Sequence, residues 1–313
     1  MEKSNNLRSS VYLSITAIIW GIAFVFQSMG NDSMGAFTFT ASRYFLGFLF
    51  LLPILLIKYY HPRFLADSDE IPLKKIPKRF TVVGGVLCGL ALGTATIFQQ
   101  YGLKNTSVGK AGFITTLYII LTPILGLLLG RKCRFTVWIG AFAAILGMYL
   151  LCVKDGFYIE SGDLLVFICA IFFSVHIMII DSFAPKTNGV LLSCIQFLIS
   201  SVFCGVIAFI VEQPSFEQLQ NALIPILYTG IMSSGVAYTM QILGQRNFNP
   251  TVAAMIMSFE SVISAVAGYF AWKWNFLTQD QSLNLLQIIG CVIVFGAVIF
   301  VQLPIGKIKR HED

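Results

Sequence analysis

Few side chains in this chain could do chemistry inside an apolar run, and they lie far apart in sequence. Glu260 stands in NPTVAAMIMSFESVISAVAGYFAW, residues 249–272. There Asn249 suits a helix cap and Pro250 the first helical turn. The expected helix can cross a bilayer, which needs about 20 residues for a hydrocarbon core of about 30 Å. Glu260 falls near its middle, and a carboxylate at that depth marks a functional site or a buried pair. It could bind a cationic substrate, take up a coupling proton or pair with Arg43. Burial favours the neutral acid and a facing cation favours the carboxylate. At helical spacing the Glu260 face carries Ala253, Met257, Ser264 and Gly268, small or flexible residues suited to a helix–helix or cavity surface.

Arg43, about a third of the way into the second apolar run, shares a face with Phe39, Thr40 and Gly47. A guanidinium held in a low-dielectric slot can grip a substrate carboxylate in bidentate fashion. The structural alternative is a permanent partner, Glu260 or backbone carbonyls, that fastens helices. His176, in FFSVHIM, is a second proton-coupling candidate, since an imidazole titrates near neutral pH; the plain alternative is a hydrogen bond to a neighbour. Trp20, Tyr118 and Tyr238 lie inside apolar runs rather than at their ends. They could line an aromatic cavity for a flat or cationic substrate, or simply pack. Gln196 occupies roughly the position of Arg43 in a second half of the chain, and its amide could bond a substrate or a facing helix. Gln99, Gln100 and Gln241 stand near run ends, where they would reach the interface.

These residues need elements to position them. Of the 313 residues, 57% are hydrophobic and only 12% charged. Soluble domains carry about 25% charged residues, so a water-soluble globular protein is excluded and an all-α integral membrane protein is expected. Ten apolar segments follow at 10–29, 36–57, 80–101, 107–130, 135–153, 163–181, 189–211, 221–244, 250–272 and 284–303. The first is too long for a signal-peptide core and lacks a cleavage site after it. With both termini cytoplasmic, Lys3, Arg8, Lys58, Arg63, Lys74, Lys75, Lys78, Arg79, Arg131, Lys132, Arg134, Lys186, Arg246, Lys307, Lys309 and Arg310 fall inside. Only Lys104, Lys110, Lys154 and Lys273 fall outside. Sixteen against four obeys the positive-inside rule and supports both the orientation and the count of ten.

Sliding the chain on itself by 142 positions aligns 85–131 with 227–273. Gly93 meets Gly235, Gln99 meets Gln241, Asn105 meets Asn247, Ala111 meets Ala253 and Gly126 meets Gly268, and the loops GLKNTS and GQRNFN coincide. Glu260 meets Tyr118, so carboxylate chemistry is one-sided. The expectation is two five-helix repeats, 10–153 and 162–303, with a cytoplasmic tail at 304–313. Because five is odd, the second repeat enters the membrane inverted, with the substrate site near mid-membrane. Gly85, Gly89 and Gly93 form a ridge for close helix packing. Pro53, Pro123 and Pro225 can kink their helices. The polar run Asp67–Glu70 reads as a solvated loop, and the basic residues from Lys74 to Arg79 can rest on anionic headgroups.

Several residues together resemble the drug/metabolite transporter superfamily, in its ten-helix EamA-type branch. They are Trp20-Gly21, Arg43, Leu121-Thr122-Pro123, Gly162-Asp163, Ala237-Tyr238 and Ser258-Phe259-Glu260, in that order over about residues 10–303. The chain departs from that family's pattern at Glu260-Ser261, where Glu-Pro is common, and at Gly130-Arg131 and Trp272-Lys273, where Gly-Glu is common. The resemblance implies transport of small metabolites, often amino acids or related compounds.

The expected function is therefore a secondary active transporter working by alternating access, with proton coupling as one option. It would sit in the plasma (inner) membrane as a monomer or homodimer, with a small-molecule substrate and lipid as partners. The candidate binding residues are Trp20, Arg43, Tyr118, Gln196, Tyr238 and Glu260, and the proton-coupling candidates Glu260 and His176. The alternatives are a membrane-embedded enzyme acting on lipid-linked substrates, or a multidrug or cation exporter of the same fold. An enzyme would need clustered catalytic groups in the spans, and none is seen. The seven cysteines form no C-x-x-C or Cys/His cluster and no P-loop is present, so no metal, cofactor or nucleic acid is expected.

Overall fold

Polar residues at the ends of apolar runs decide where the helices begin. In the computed structural model, which describes residues 2–61, 72–130, 135–152, 161–278, 280–282 and 284–302, Ser107 accepts a hydrogen bond from the Lys110 amide (3.2 Å) and opens α4 (Val108–Thr115). The first three helices are α1 (Glu2–Asn31), α2 (Ala36–Tyr60) and α3 (Lys78–Gly102). After α4 come α5 (Tyr118–Leu128), α6 (Phe135–Cys152) and α7 (Ser161–Phe183). Asn188 caps α8 (Gly189–Val211) through the Leu191 amide (3.1 Å). Ser215 and Gln218 form a reciprocal capping box at the short α9 (Phe216–Asn221). Then follow α10 (Leu223–Leu227), a π-helical stretch Tyr228–Tyr238, and α11 (Thr239–Gln245). Asn249 caps α12 (Pro250–Met257) through the Thr251 amide (3.0 Å), with Pro250 in the first turn as expected. The last two are α13 (Glu260–Lys273) and α14 (Leu285–Gln302).

The described residues hold helices and no strands. Among the described residues, eight helical stretches are long and apolar enough to cross a membrane: Asn6–Asn31, Ala36–Tyr60, Lys78–Asn105, Val108–Leu128, Ser161–Lys186, Gly189–Val211, Leu223–Gln245 and Pro250–Lys273. The 18-residue helices α6 and α14 stand where the fifth and tenth apolar segments were expected. They pack together, with Gly147 against the Gly290 carbonyl and Ile293. The Asp67–Glu70 loop, Cys133, His311, the tail 304–313 and the basic residues Arg63, Arg131, Lys132, Arg134, Lys154, Lys307, Lys309 and Arg310 lie outside the described residues.

Three expected spans are not single regular helices. The stretch 249–272, expected as one helix with Glu260 at its middle, is interrupted by a turn at Ser258–Phe259, and Glu260 begins the second segment. The fourth span is interrupted 142 positions earlier, at Thr116–Leu117, and Tyr118 begins its second segment. The two turns are chemically alike. The Thr116 hydroxyl donates to the Phe113 carbonyl and the Ser258 hydroxyl to the Met255 carbonyl, both at 2.8 Å. The following amides bond three residues back, Leu117 to Ile114 (3.1 Å) and Phe259 to Ile256 (3.4 Å). A hydroxyl that competes for a nearby carbonyl tightens a helix locally, in keeping with both interruptions. The eighth span carries the π-helical stretch, in which Ser234 donates to the carbonyl of Thr229, five residues back (2.8 Å).

The interrupted helices lie against each other antiparallel. Gly109 abuts Ala265, Gly112 abuts Ser264 and Gly268 abuts Val108, while Ile119 and Met255 share one cluster beyond the turns. The glycine ridge of α3 packs close, as expected. A Cβ at Gly85 would meet Ile195, one at Gly89 would lie 2.7 Å from the Gln196 carbonyl, and one at Gly93 would meet Phe203, all on α8. Ser200 seals this contact by donating to the Gly89 carbonyl (2.7 Å).

α1 is the central strut. Near its start Ser9 accepts from the Asn247 amide group (3.0 Å). At its other end Asn31 and Gln100 exchange hydrogen bonds (3.0 and 2.8 Å), and the turn Leu103–Asn105 follows directly. The 22 positions from Ser9 to Asn31 rise about 33 Å at 1.5 Å per residue. Two ties fasten the Asn31 end: Lys110 and Thr106 hold the Asp163 carboxylate at the start of α7. Glu212, past the end of α8, accepts from the Phe37 and Thr38 amides (3.0 and 2.8 Å) and the Thr38 hydroxyl (2.8 Å) at the start of α2.

Candidate functional site

Five of the side chains singled out in the sequence, Trp20, Arg43, Tyr118, Tyr238 and Glu260, line one small cavity of about 20 Å³. The two helix interruptions place Tyr118 and Glu260 there, each as the first residue after its turn. The π-helical stretch places Ser233 and Tyr238 on the same wall. Trp20, on α1, donates from its indole nitrogen to the Ser233 carbonyl (3.4 Å), and its ring lies 4.5 Å from that of Tyr238. The indole is therefore fixed in place, and Thr16 strengthens the contact by donating to the Ala237 carbonyl (3.0 Å).

Arg43 is 1% exposed. Its Nη1 donates to Gln27 Oε1 (3.0 Å) and its Nη2 to the Tyr44 hydroxyl (2.9 Å), which in turn meets Thr96 Oγ1. Nε has no partner. The sequence offered Glu260 or backbone carbonyls as fastening partners, and the structure supplies neutral side chains instead. An arginine at a membrane helix centre costs about 3 kcal/mol on insertion scales. A hydrogen bond to a charged group contributes about 1.5–3 kcal/mol, so Gln27 and Tyr44 together suffice to hold the cation without a carboxylate. Its charge is left uncompensated. Glu260, 2% exposed, faces the same cavity, and the buried Tyr118 hydroxyl beside it makes no well-formed hydrogen bond.

His176 and Gln196 do not line the cavity. They bond each other, Nε2 to Oε1 at 3.1 Å, behind Tyr238, whose ring lies 6.0 Å from the imidazole. His176 Nδ1 and Gln196 Nε2 are both buried without a partner. The two candidates thus form one polar pair a layer away from Arg43 and Glu260.

The sequence reading missed Gln27 and misplaced Gln99. Gln27 was readable as the last of three residues at helical spacing, Trp20, Phe24 and Gln27, that all line the cavity. Gln99, expected to reach the interface, is 4% exposed, lines the cavity and donates to Thr115 Oγ1 (3.1 Å). The helical stretch runs on to Asn105, four positions past the expected end at 101, which moves Gln99 inward by about a turn. Gln100 and Gln241 are buried as well.

Apolar helices of membrane length around a cavity with Arg43 and Glu260 in its wall mark a multi-pass membrane protein. The chain belongs to the EamA-like transporter family, whose model matches residues 7–153 and again 160–303, and it is a membrane transporter. It is 28% identical over 309 residues to an uncharacterized transporter of Archaeoglobus fulgidus, covering 97% of this chain and 89% of that one. Two uncharacterized transporters of Bacillus subtilis are also similar. YdfC is 25% identical over 76% of this chain and 75% of its own length, and YoaV 22% identical over 90% and 92%. A crystal structure matches with a TM-score of 0.70 at 17% identity over 94% of this chain and 96% of that one, a likeness of fold.

Proposed function

We propose that this protein is a secondary active transporter that moves a small polar metabolite, an amino acid, amine or related compound, by alternating access between two inverted five-helix halves. The observation that carries this reading is the antiparallel pairing of the interrupted helices, whose matching turns meet at the cavity holding Arg43 and Glu260. Two further features support the inversion. The family model matches each half separately. Asn247 lies beside the start of α1, while the loop containing its counterpart Asn105 lies beside that helix's far end, about 33 Å away. Inverted repeats that meet at mid-membrane allow one half to rock against the other around a fixed site.

In this mechanism Arg43 receives an anionic group of the substrate and Glu260 a cationic group or a proton. Trp20 and Tyr238 form the apolar wall. His176, joined to Gln196 behind Tyr238, is the second proton-coupling candidate. The charge distribution of the loops supports a plasma-membrane protein with both termini cytoplasmic. The test is uptake by proteoliposomes of radiolabelled amino acids and amines, with and without a pH gradient. The wild type accumulates at least one of them and Glu260→Gln loses the response to the gradient. Absence of transport over the whole panel overturns the proposal.

A further inference from the structure

A second space, wider than the cavity at about 260 Å³, opens at the Asn31 end of α1. Six of its eight lining residues are polar, Ser28, Asn31, Asp32, Lys104, Thr278 and Gln281, so its walls suit water and a hydrated solute and not a lipid tail. It adjoins the Arg43 cavity along one stripe of α1. Trp20, Phe24 and Gln27 face the cavity, and Ser28 and Asn31, within one helical turn of Gln27, face the wider space. Between them Gln100 donates to the Gln27 carbonyl and to Asn31 Oδ1, both at 2.8 Å. Its own Oε1 is fully buried without a partner, an acceptor left open on the line that joins the two spaces.

We propose that this space is the outer vestibule of the transport path, a polar waiting site for a hydrophilic solute arriving from water. The Gln27 side chain, tied to Arg43, is the barrier between vestibule and cavity. Asp32 and Lys104 give the vestibule one acid and one base, which together favour a small solute with both donor and acceptor groups and disfavour a lipophilic one. Delivery from water separates this protein from carriers that take a lipid-linked or lipophilic substrate sideways from the bilayer. The proposal rests on the transport reading above, but access can be measured without any substrate.

The test uses the full chain in proteoliposomes, with native cysteines replaced by serine and a single Ala23→Cys placed in the cavity wall. The probe is the impermeant cation 2-(trimethylammonium)ethyl methanethiosulfonate. Ala23→Cys is expected to react from the membrane face that bears Asn31. Adding Ser28→Trp, or Thr278→Trp on the opposite wall should the first variant fail to fold, is expected to slow the reaction about tenfold by narrowing the mouth. Gln27→Ala is expected to speed it. Reaction only from the Ser9 face, no reaction from either face, or rates indifferent to both tryptophans overturns the vestibule. Normal labelling in a protein that transports nothing overturns only the transport reading.

Discussion

The Arg43 guanidinium and the Glu260 carboxyl line one cavity and form no salt bridge with each other. Each is held by neutral surroundings, so the protein keeps both groups available to something that enters. A fastened pair would show strong energetic coupling. Here the stability changes of Arg43→Gln and Glu260→Gln are expected to add within about 0.5 kcal/mol, measured by thermal unfolding in detergent of the two single variants and the double. Arg43→Gln is expected to lose transport and Glu260→Gln its response to a pH gradient. A coupling of several kcal/mol identifies a hidden ion pair.

The loops that carry Asn105 and Asn247 lie at opposite ends of α1. In a cysteine-replaced chain, Asn105→Cys and Asn247→Cys are therefore expected to react with an impermeant maleimide from opposite sides of sealed vesicles. Reaction from the same side removes the inverted arrangement.

Glu212 accepts two backbone amides and a hydroxyl at the start of α2, the work of an N-cap done by a residue from another helix. Glu212→Ala is expected to destabilise the protein by about 1–2 kcal/mol, the range for loss of a capping residue. Glu212→Gln is expected to recover part of that loss. Unfolding midpoints of the three proteins in one detergent decide it.

Gly89 has no room for a side chain, since a Cβ there would lie 2.7 Å from the Gln196 backbone carbonyl. Gly89→Val is expected to cost about 1–3 kcal/mol through overpacking. The same change at Gly296, whose Cβ would meet nothing within 4 Å, is expected to be nearly neutral. Equal melting temperatures for the two variants contradict the close α3–α8 packing.

Most of the architecture was legible because it rests on strong, additive signals. Runs of apolar residues and the Asn249 cap each need only the sequence, whereas the caps Ser107 and Asn188 were not singled out there. The interruptions at Thr116 and Ser258 were not legible, because a hydroxyl inside an apolar helix can point outward or bond backward, and packing decides which. The same limit hid the partner of Gln27. The spacing of Trp20, Phe24 and Gln27 could place its amide on the cavity side, but only packing shows that Arg43 reaches it from the neighbouring helix. Gln99 was misplaced by a boundary error of about one turn. The gathering of Trp20, Arg43, Tyr118, Tyr238 and Glu260 was anticipated, whereas the separate pairing of His176 with Gln196 was not.

At the matching turns one half of the chain presents a phenol and the other an acid, Tyr118 against Glu260. The π-helical stretch deepens the inequality, for the corresponding part of α3 is regular α-helix. Two duplicated halves that were chemically the same would leave nothing to tell one compartment from the other. Because their centres differ, the two sides of the cavity are not interchangeable, and exchanging the two residues by Tyr118→Glu with Glu260→Tyr is the change that would carry the acid to the other half.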